Sequence, residues 1–166
     1  LTYVWTWAFR NNNLSWTLTI PAWVTLWSTP FQCNTFEKVV FGSWVTAIWK
    51  DDFSANDCKG KRTIKSIELP STLESIWESA FYFQKIEWEF EFPASLTTIW
   101  PAAFKDNNLS WTLNVPGYLN SWVLNGAFRC NLFDKVVVWE WIVNIGNDAF
   151  FDTNCTSDKY PSGKFT

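Results

Sequence analysis

Seven phenylalanines, Phe9, Phe31, Phe53, Phe81, Phe104, Phe128 and Phe150, recur at steps of 22 to 28 residues and close seven copies of one short pattern. The stretch Ile64 to Phe81 shows it whole, as I-K-S-I-E-L-P-S-T-L-E-S-I-W-E-S-A-F. Its apolar positions, Ile64, Ile67, Leu69, Leu73, Ile76 and Phe81, suit neither a long amphipathic helix nor one alternating strand. They suit a short strand ended at Pro70, a second short extended piece and a closing turn. A unit this small cannot bury its apolar face alone, so successive units must stack as the coils of a solenoid.

Marked by the first strand residue, coils begin at Leu14, Phe36, Ile64, Ile86, Leu109 and Phe133, with residues 1–13 as the tail of an earlier coil. Alternate residues of each first strand point inward: Leu18 and Ile20, Val39 and Phe41, Ile67 and Leu69, Phe90 and Phe92, Leu113 and Val115, Val136 and Val138. Stacked, they predict a parallel sheet with one buried face. A second apolar pair follows, as in Val45 and Ile48, Leu73 and Ile76, or Leu96 and Ile99. The closing phenylalanines predict a buried stack of rings. Above the coil lies a longer period, because F-R-N-N-N-L-S-W-T-L at Phe9 returns as F-K-D-N-N-L-S-W-T-L at Phe104, 95 residues on. Residues 1–156 read as one solenoid, with Ala55 to Thr63 as a protruding loop in the longest coil and 157–166 as a tail or linker.

Thirteen Lys and Arg against sixteen Asp and Glu leave a net charge of −3, so no basic field exists to hold nucleic acid. No run of about 18 apolar residues reads as a membrane span. The chain has no His, which excludes Ser-His-Asp and Cys-His catalysis, and no glycine-rich phosphate loop. Glu89 and Glu91 are paired carboxylates of the kind a glycosidase uses, but nothing covers them to shift their pKa. The expectation is a non-catalytic protein without cofactor or metal.

Cys33 and Cys58 are 25 residues apart, as are Cys130 and Cys155, about one coil each. Adjacent coils lie about 5 Å apart, within disulfide reach, so the bonds Cys33–Cys58 and Cys130–Cys155 are predicted, and with them an oxidising, extracellular setting. Four free buried thiols are the alternative. A zinc site is disfavoured by the lack of His and of C-x-x-C.

The composition has one anomaly, 14 Trp beside only 6 Gly in a fold built of turns. After the second apolar pair stand Trp5, Trp27, Trp49, Trp77 and Trp100, and in the last coil Gly146. Trp16, Trp88 and Trp111 are the odd residue in L-S-W-T-L or I-E-W-E-F, and the remaining six fall in turn segments. These are the places where a chain needs glycine. One reading is that they are glycine in the natural protein, through a UGA codon decoded as glycine; the other is a genuine aromatic ladder able to stack on sugars.

The unit L-x-x-L-x-I-P-x-x-V-x-x-I-G-x-x-A-F, matched best by Ile64 to Phe81 and Ile86 to Phe104, resembles the BspA-like leucine-rich repeat family over nearly the whole chain. The resemblance implies an α/β-type leucine-rich repeat solenoid of six to seven coils, mostly short parallel β-strands with turns, on a secreted or cell-surface protein. It also implies adhesion: binding to matrix proteins, host cells or other microbes, with no shared catalytic residues.

The outward residues of the first sheet are the natural binding face. They include Lys38, Glu68, Glu89, Glu91, Asn114 and Lys135, with Glu87 nearby, giving an acidic middle flanked by one lysine on each side. The plain reading is a solvated face that keeps the sheet soluble. The sharper one is a docking surface for a basic protein segment, with weak divalent-cation binding as a lesser option. A carbohydrate-binding module using the Trp ladder, and a structural spacer, are the competing functions.

Overall fold

The computed structural model describes residues 3–27, 29–58, 60–115, 117–119, 124–138, 140, 142 and 145–151. It is a β-solenoid of about six turns. In chain order the strands are β1 (Tyr3–Val4), β2 (Ser15–Ile20), β3 (Thr25–Leu26), β4 (Thr35–Phe41), β5 (Ala47–Ile48), β6 (Ser66–Glu68), β7 (Ser75–Ile76), β8 (Thr98–Ile99), β9 (Thr112–Val115) and β10 (Lys135–Val138). All pairings are parallel, as coils stacked in one direction require.

One side of the solenoid carries the sheets β2-β4-β6 and β9-β10, and a second side carries β5-β7-β8 and β1-β3. Pairing aligns Leu18 with Val39 and Val39 with Ile67, the inward row read from the sequence. Leu113 and Val136 continue it. The second side buries Ile48, Ile76 and Ile99 in register.

The third side is made of turns, and no helix occurs among the described residues, in keeping with a leucine-rich repeat solenoid of short parallel strands and turns. The cause lies in the backbone. Two residues before each closing Phe, the column Trp7, Thr29, Asp51, Ser79, Ala102, Gly126 and Asp148 has φ of 56° to 63°. Two residues after it, Asn11, Cys33, Phe83, Asp106 and Cys130 have φ of 57° to 61°. Left-handed residues at that spacing break any helix. They turn the amides toward the next coil instead: Phe53 N–H donates to Ala80, Phe81 to Ala103, Phe104 to Ala127 and Phe128 to Ala149, at 2.8–2.9 Å.

The phenylalanines form the expected column. Neighbouring rings from Phe9 to Phe150 lie face to face at 5.3–5.8 Å. Beside them runs a polar column that the apolar rhythm does not announce. Asn34, Asn107 and Asn131, each three residues after its Phe, are buried. The Asn107 amide donates to the carbonyls of Phe81 (2.8 Å) and Phe104 (3.0 Å) and accepts from Ile86 N–H. Asn131 repeats this with Phe104, Phe128 and Leu109, and Asn34 with Phe9, Phe31 and Leu14. In the coil beginning at Ile64, Gln84 takes the role, accepting from Thr63 and Ile64 N–H and donating to Phe53.

Two expectations need correction. The segment from Ala55 does not protrude freely, because Ala55 and Cys58 are buried with Cys33 in a small second cluster against Phe83. The Cys33–Cys58 disulfide ties it down, with Cα atoms 5.2 Å apart. Also, Glu89 to Phe92 forms no strand, although Phe90 and Phe92 still pack on the core. Cys130 is disulfide-bonded, and its expected partner Cys155 lies outside the described residues.

Asn107→Ala or Asn131→Ala strands buried carbonyls and an N–H in two coils at once, and is expected to cost roughly 2–4 kcal/mol in urea unfolding. Reducing the Cys33–Cys58 bond, or replacing both cysteines by serine, is expected to cost about 3.5 kcal/mol in the same measurement, since it closes a 25-residue loop.

Candidate functional site

Register fixes the outer face. Pairing sets Thr17 beside Lys38 and Lys38 beside Ser66, and Thr19 beside Val40 and Val40 beside Glu68. Beyond the gap at Glu89 to Phe92, Thr112 lies beside Lys135, and Asn114 beside Val137. These are the outward rows predicted from alternation. Lys38 and Glu68 sit diagonally on adjacent strands and form an ion pair, so those two charges neutralise each other.

Glu87, Glu89 and Glu91 are exposed in the middle of the face, and among the described residues no cation stands at ion-pair distance from them. Glu89, Glu91 and Asn114 rim a concavity of about 650 Å³ at the break in the sheet. Its floor is aromatic: Phe90 meets Phe92 and Trp111 edge to face at 5.3 Å. Tyr118 closes one end and donates its hydroxyl to the Pro93 carbonyl at 3.1 Å. Partial burial pushes the Tyr118 phenol above its ordinary pKa. Lys135 and Glu87 do not line the hollow. Tyr118, Trp111, Phe90 and Phe92 are among the lining residues that the sequence does not single out. The two phenylalanines had been given to the core of a strand, and Tyr118 sits in a Pro-Gly-Tyr turn with no apolar rhythm to single it out.

The Trp ladder exists, and its geometry limits it. Trp49, Trp77 and Trp100 stack at 5.1 and 4.8 Å, Trp23 and Trp44 at 5.3 Å. Trp77 thus has both faces covered by its neighbours, and the stacked rings of the other pairs each have one face covered, whereas a sugar needs a free aromatic face.

One titratable group is strongly perturbed. Asp52 is fully buried, and burial raises its pKa from 3.8 to about 7 against two backbone hydrogen bonds that oppose the shift. One carboxyl oxygen accepts from Thr29 N–H at 3.0 Å and the other from Trp49 N–H at 2.9 Å. Both oxygens serve as a clip between coils, joining Thr29 of the preceding coil to Trp49 of its own, which is a structural use of the carboxyl. Among the described residues no three of His, Cys, Asp and Glu converge as a metal set, and no helix is long and apolar enough to cross a membrane.

Stacked parallel coils, an inner phenylalanine column and an asparagine column together define a leucine-rich repeat solenoid with an open face. Residues 52–166 match the BspA type leucine rich repeat region in six copies, and the chain belongs to that family. No curated protein and no solved structure matches it.

Because folded Asp52 holds its proton where the unfolded chain has lost it, stability is expected to fall as pH rises from about 4 to about 7. Burial raises Asp51 and Asp106 in the same direction. Asp52→Asn should flatten most of that slope, read as urea midpoints across the window. An unchanged slope would show that Asp52 ionises normally.

Proposed function

We propose that this chain is an extracellular, non-catalytic recognition module that takes a basic segment of a protein partner, on a host or neighbouring cell, across the sheet face. The observation that carries the reading is the position of Glu89 and Glu91. They are exposed at the centre of the face, unpaired by any described cation, and flank an aromatic hollow that can receive the aliphatic stem of a lysine or arginine. Lys38 with Glu68 forms a neutral border on one side, and Asn114 and Lys135 lie on the other. Membership of the BspA-type family and the disulfide support a secreted or surface location. Family membership also supports adhesion, with matrix proteins among the partners to test. The Trp ladder favours a glycan as the second reading, weakened by the mutual stacking of its rings.

The disulfide-bonded chain is expected to bind a lysine- and arginine-rich peptide, and a matrix protein presenting such a segment, in a salt-sensitive manner. Glu89→Lys with Glu91→Lys should weaken both by about tenfold or more while leaving the thermal midpoint near its original value. Unchanged affinity would dismiss the acidic centre. Hits on a glycan array, with quenching of Trp fluorescence, would favour carbohydrate instead.

A further inference from the structure

We infer that the fourteen Trp positions are glycine in the protein as its own organism makes it, and that the binding face is then one continuous parallel sheet. The first support is conformational. Trp7, Trp16, Trp23 and Trp44 have φ of 63°, 69°, 73° and 81°, the left-handed region that glycine enters freely and a large side chain resists. Residues in the columns flanking each Phe share that region, and Gly126 stands in the same column as Trp7. Trp16, Trp23 and Trp44 lie outside those columns and add left-handed positions held only by tryptophan.

The second support is burial. Trp122, Trp139 and Trp141 lie outside the described residues; of the other tryptophans none is buried, and eight are exposed, Trp16 by 75% and Trp23 by 70%. The largest apolar side chain is thus kept out of a core that takes in every Phe from Phe31 to Phe128 in the closing column. Trp77 has a buried indole N–H with no acceptor. In its column the last coil holds Gly146, where a Cβ would come 2.6 Å from the backbone nitrogen of Asn125.

The consequence for the face follows from comparing coils. In L-S-W-T-L at Leu14, Trp16 adopts the left-handed conformation, the register shifts beside it, and β2 pairs with β4 along its whole length. A register shift with a left-handed residue is a bulge of the kind that glycine supports. In I-E-W-E-F at Ile86, Trp88 does not adopt it, and Glu89 to Phe92 leaves the ladder between β6 and β9. Trp111 leans into the same gap, meeting Phe90 at 5.3 Å and Phe133 at 6.2 Å. Glycine at 88 and 111 removes both obstacles, so the missing strand pairs on each side. The hollow at the break closes, Phe90 and Phe92 turn to the core, and Glu89 and Glu91 stay outward. A basic segment is then held by the two carboxylates on the sheet surface and not by an aromatic hollow. The codons concerned are then ones the organism decodes as glycine, UGA being the natural case, with Gly146 and the other glycines carried by ordinary glycine codons.

Intact mass of the protein purified from its source decides the residue identity. The expected mass is lower by fourteen exchanges of an indolylmethyl group for hydrogen, with ultraviolet absorption reduced to that of four tyrosines and the disulfides. A mass matching fourteen tryptophans overturns it. For the face, the tryptophan chain and the all-glycine chain are compared by amide hydrogen exchange. Protection appearing at residues 89–92 only in the glycine chain supports the continuous sheet, and equal exchange in both overturns it. Neither readout depends on what the face binds, so failure here and failure of the acidic docking face are separately visible.

Discussion

A phenyl ring in this chain is buried only if the coils above and below cover it. Phe53, Phe81 and Phe104 are fully buried because each has a ring on either face, while Phe9, with a single stacked neighbour, is 40% exposed. The amides of the turns obey the same rule, since their acceptors lie one coil on. Stability is thus a sum of interfaces between neighbours rather than the property of one centre. Anything that shifts one coil sideways exposes apolar surface and orphans hydrogen bonds in two.

Such a stack has a polar cost at every turn, because carbonyls beside each Phe face the interior. The asparagine column meets that cost. One amide donates to two carbonyls in adjacent coils and accepts from the Ile86 N–H, using both of its donors and its acceptor oxygen. The coil beginning at Ile64, next to the long one, has glutamine at that place, and the longer Gln84 reaches across to Phe53, with Arg62 laid over Phe83 at 4.0 Å and donating to the Gln84 and Asp106 carbonyls. The insertion is accommodated by longer side chains and a disulfide, without breaking the ring column.

Period and alternation made the coils, the inward rows, the ring column and the Cys33–Cys58 bond legible, because each depends on spacing alone. The asparagine column was visible as an Asn three residues after several Phe, yet a polar residue next to a turn reads as solvated until the interior carbonyls are seen. The break at Glu89 to Phe92 was hidden for a different reason. Its alternation is that of a strand, and it differs from the paired β2 in that Trp16 is left-handed and Trp88 is not, a backbone difference that hydropathy does not encode. Asp52 was equally silent, since alanine or proline holds its column in the other coils.

The charge pattern of the face follows from the ladder. In parallel pairing each outward residue stands beside its column mate about 5 Å away, so like charges in one column repel. By alternation Glu91 continues the row of Glu68, and Glu89 the row of Lys38 and Ser66, although residues 89–92 do not pair in the ladder. Lys38, diagonal to Glu68, removes one of the two carboxylates from that conflict. Glu89 and Glu91 stand two residues apart, both exposed, with no described cation at ion-pair distance. A cation placed between them would relieve their mutual repulsion, which is the physical ground for the basic partner proposed above.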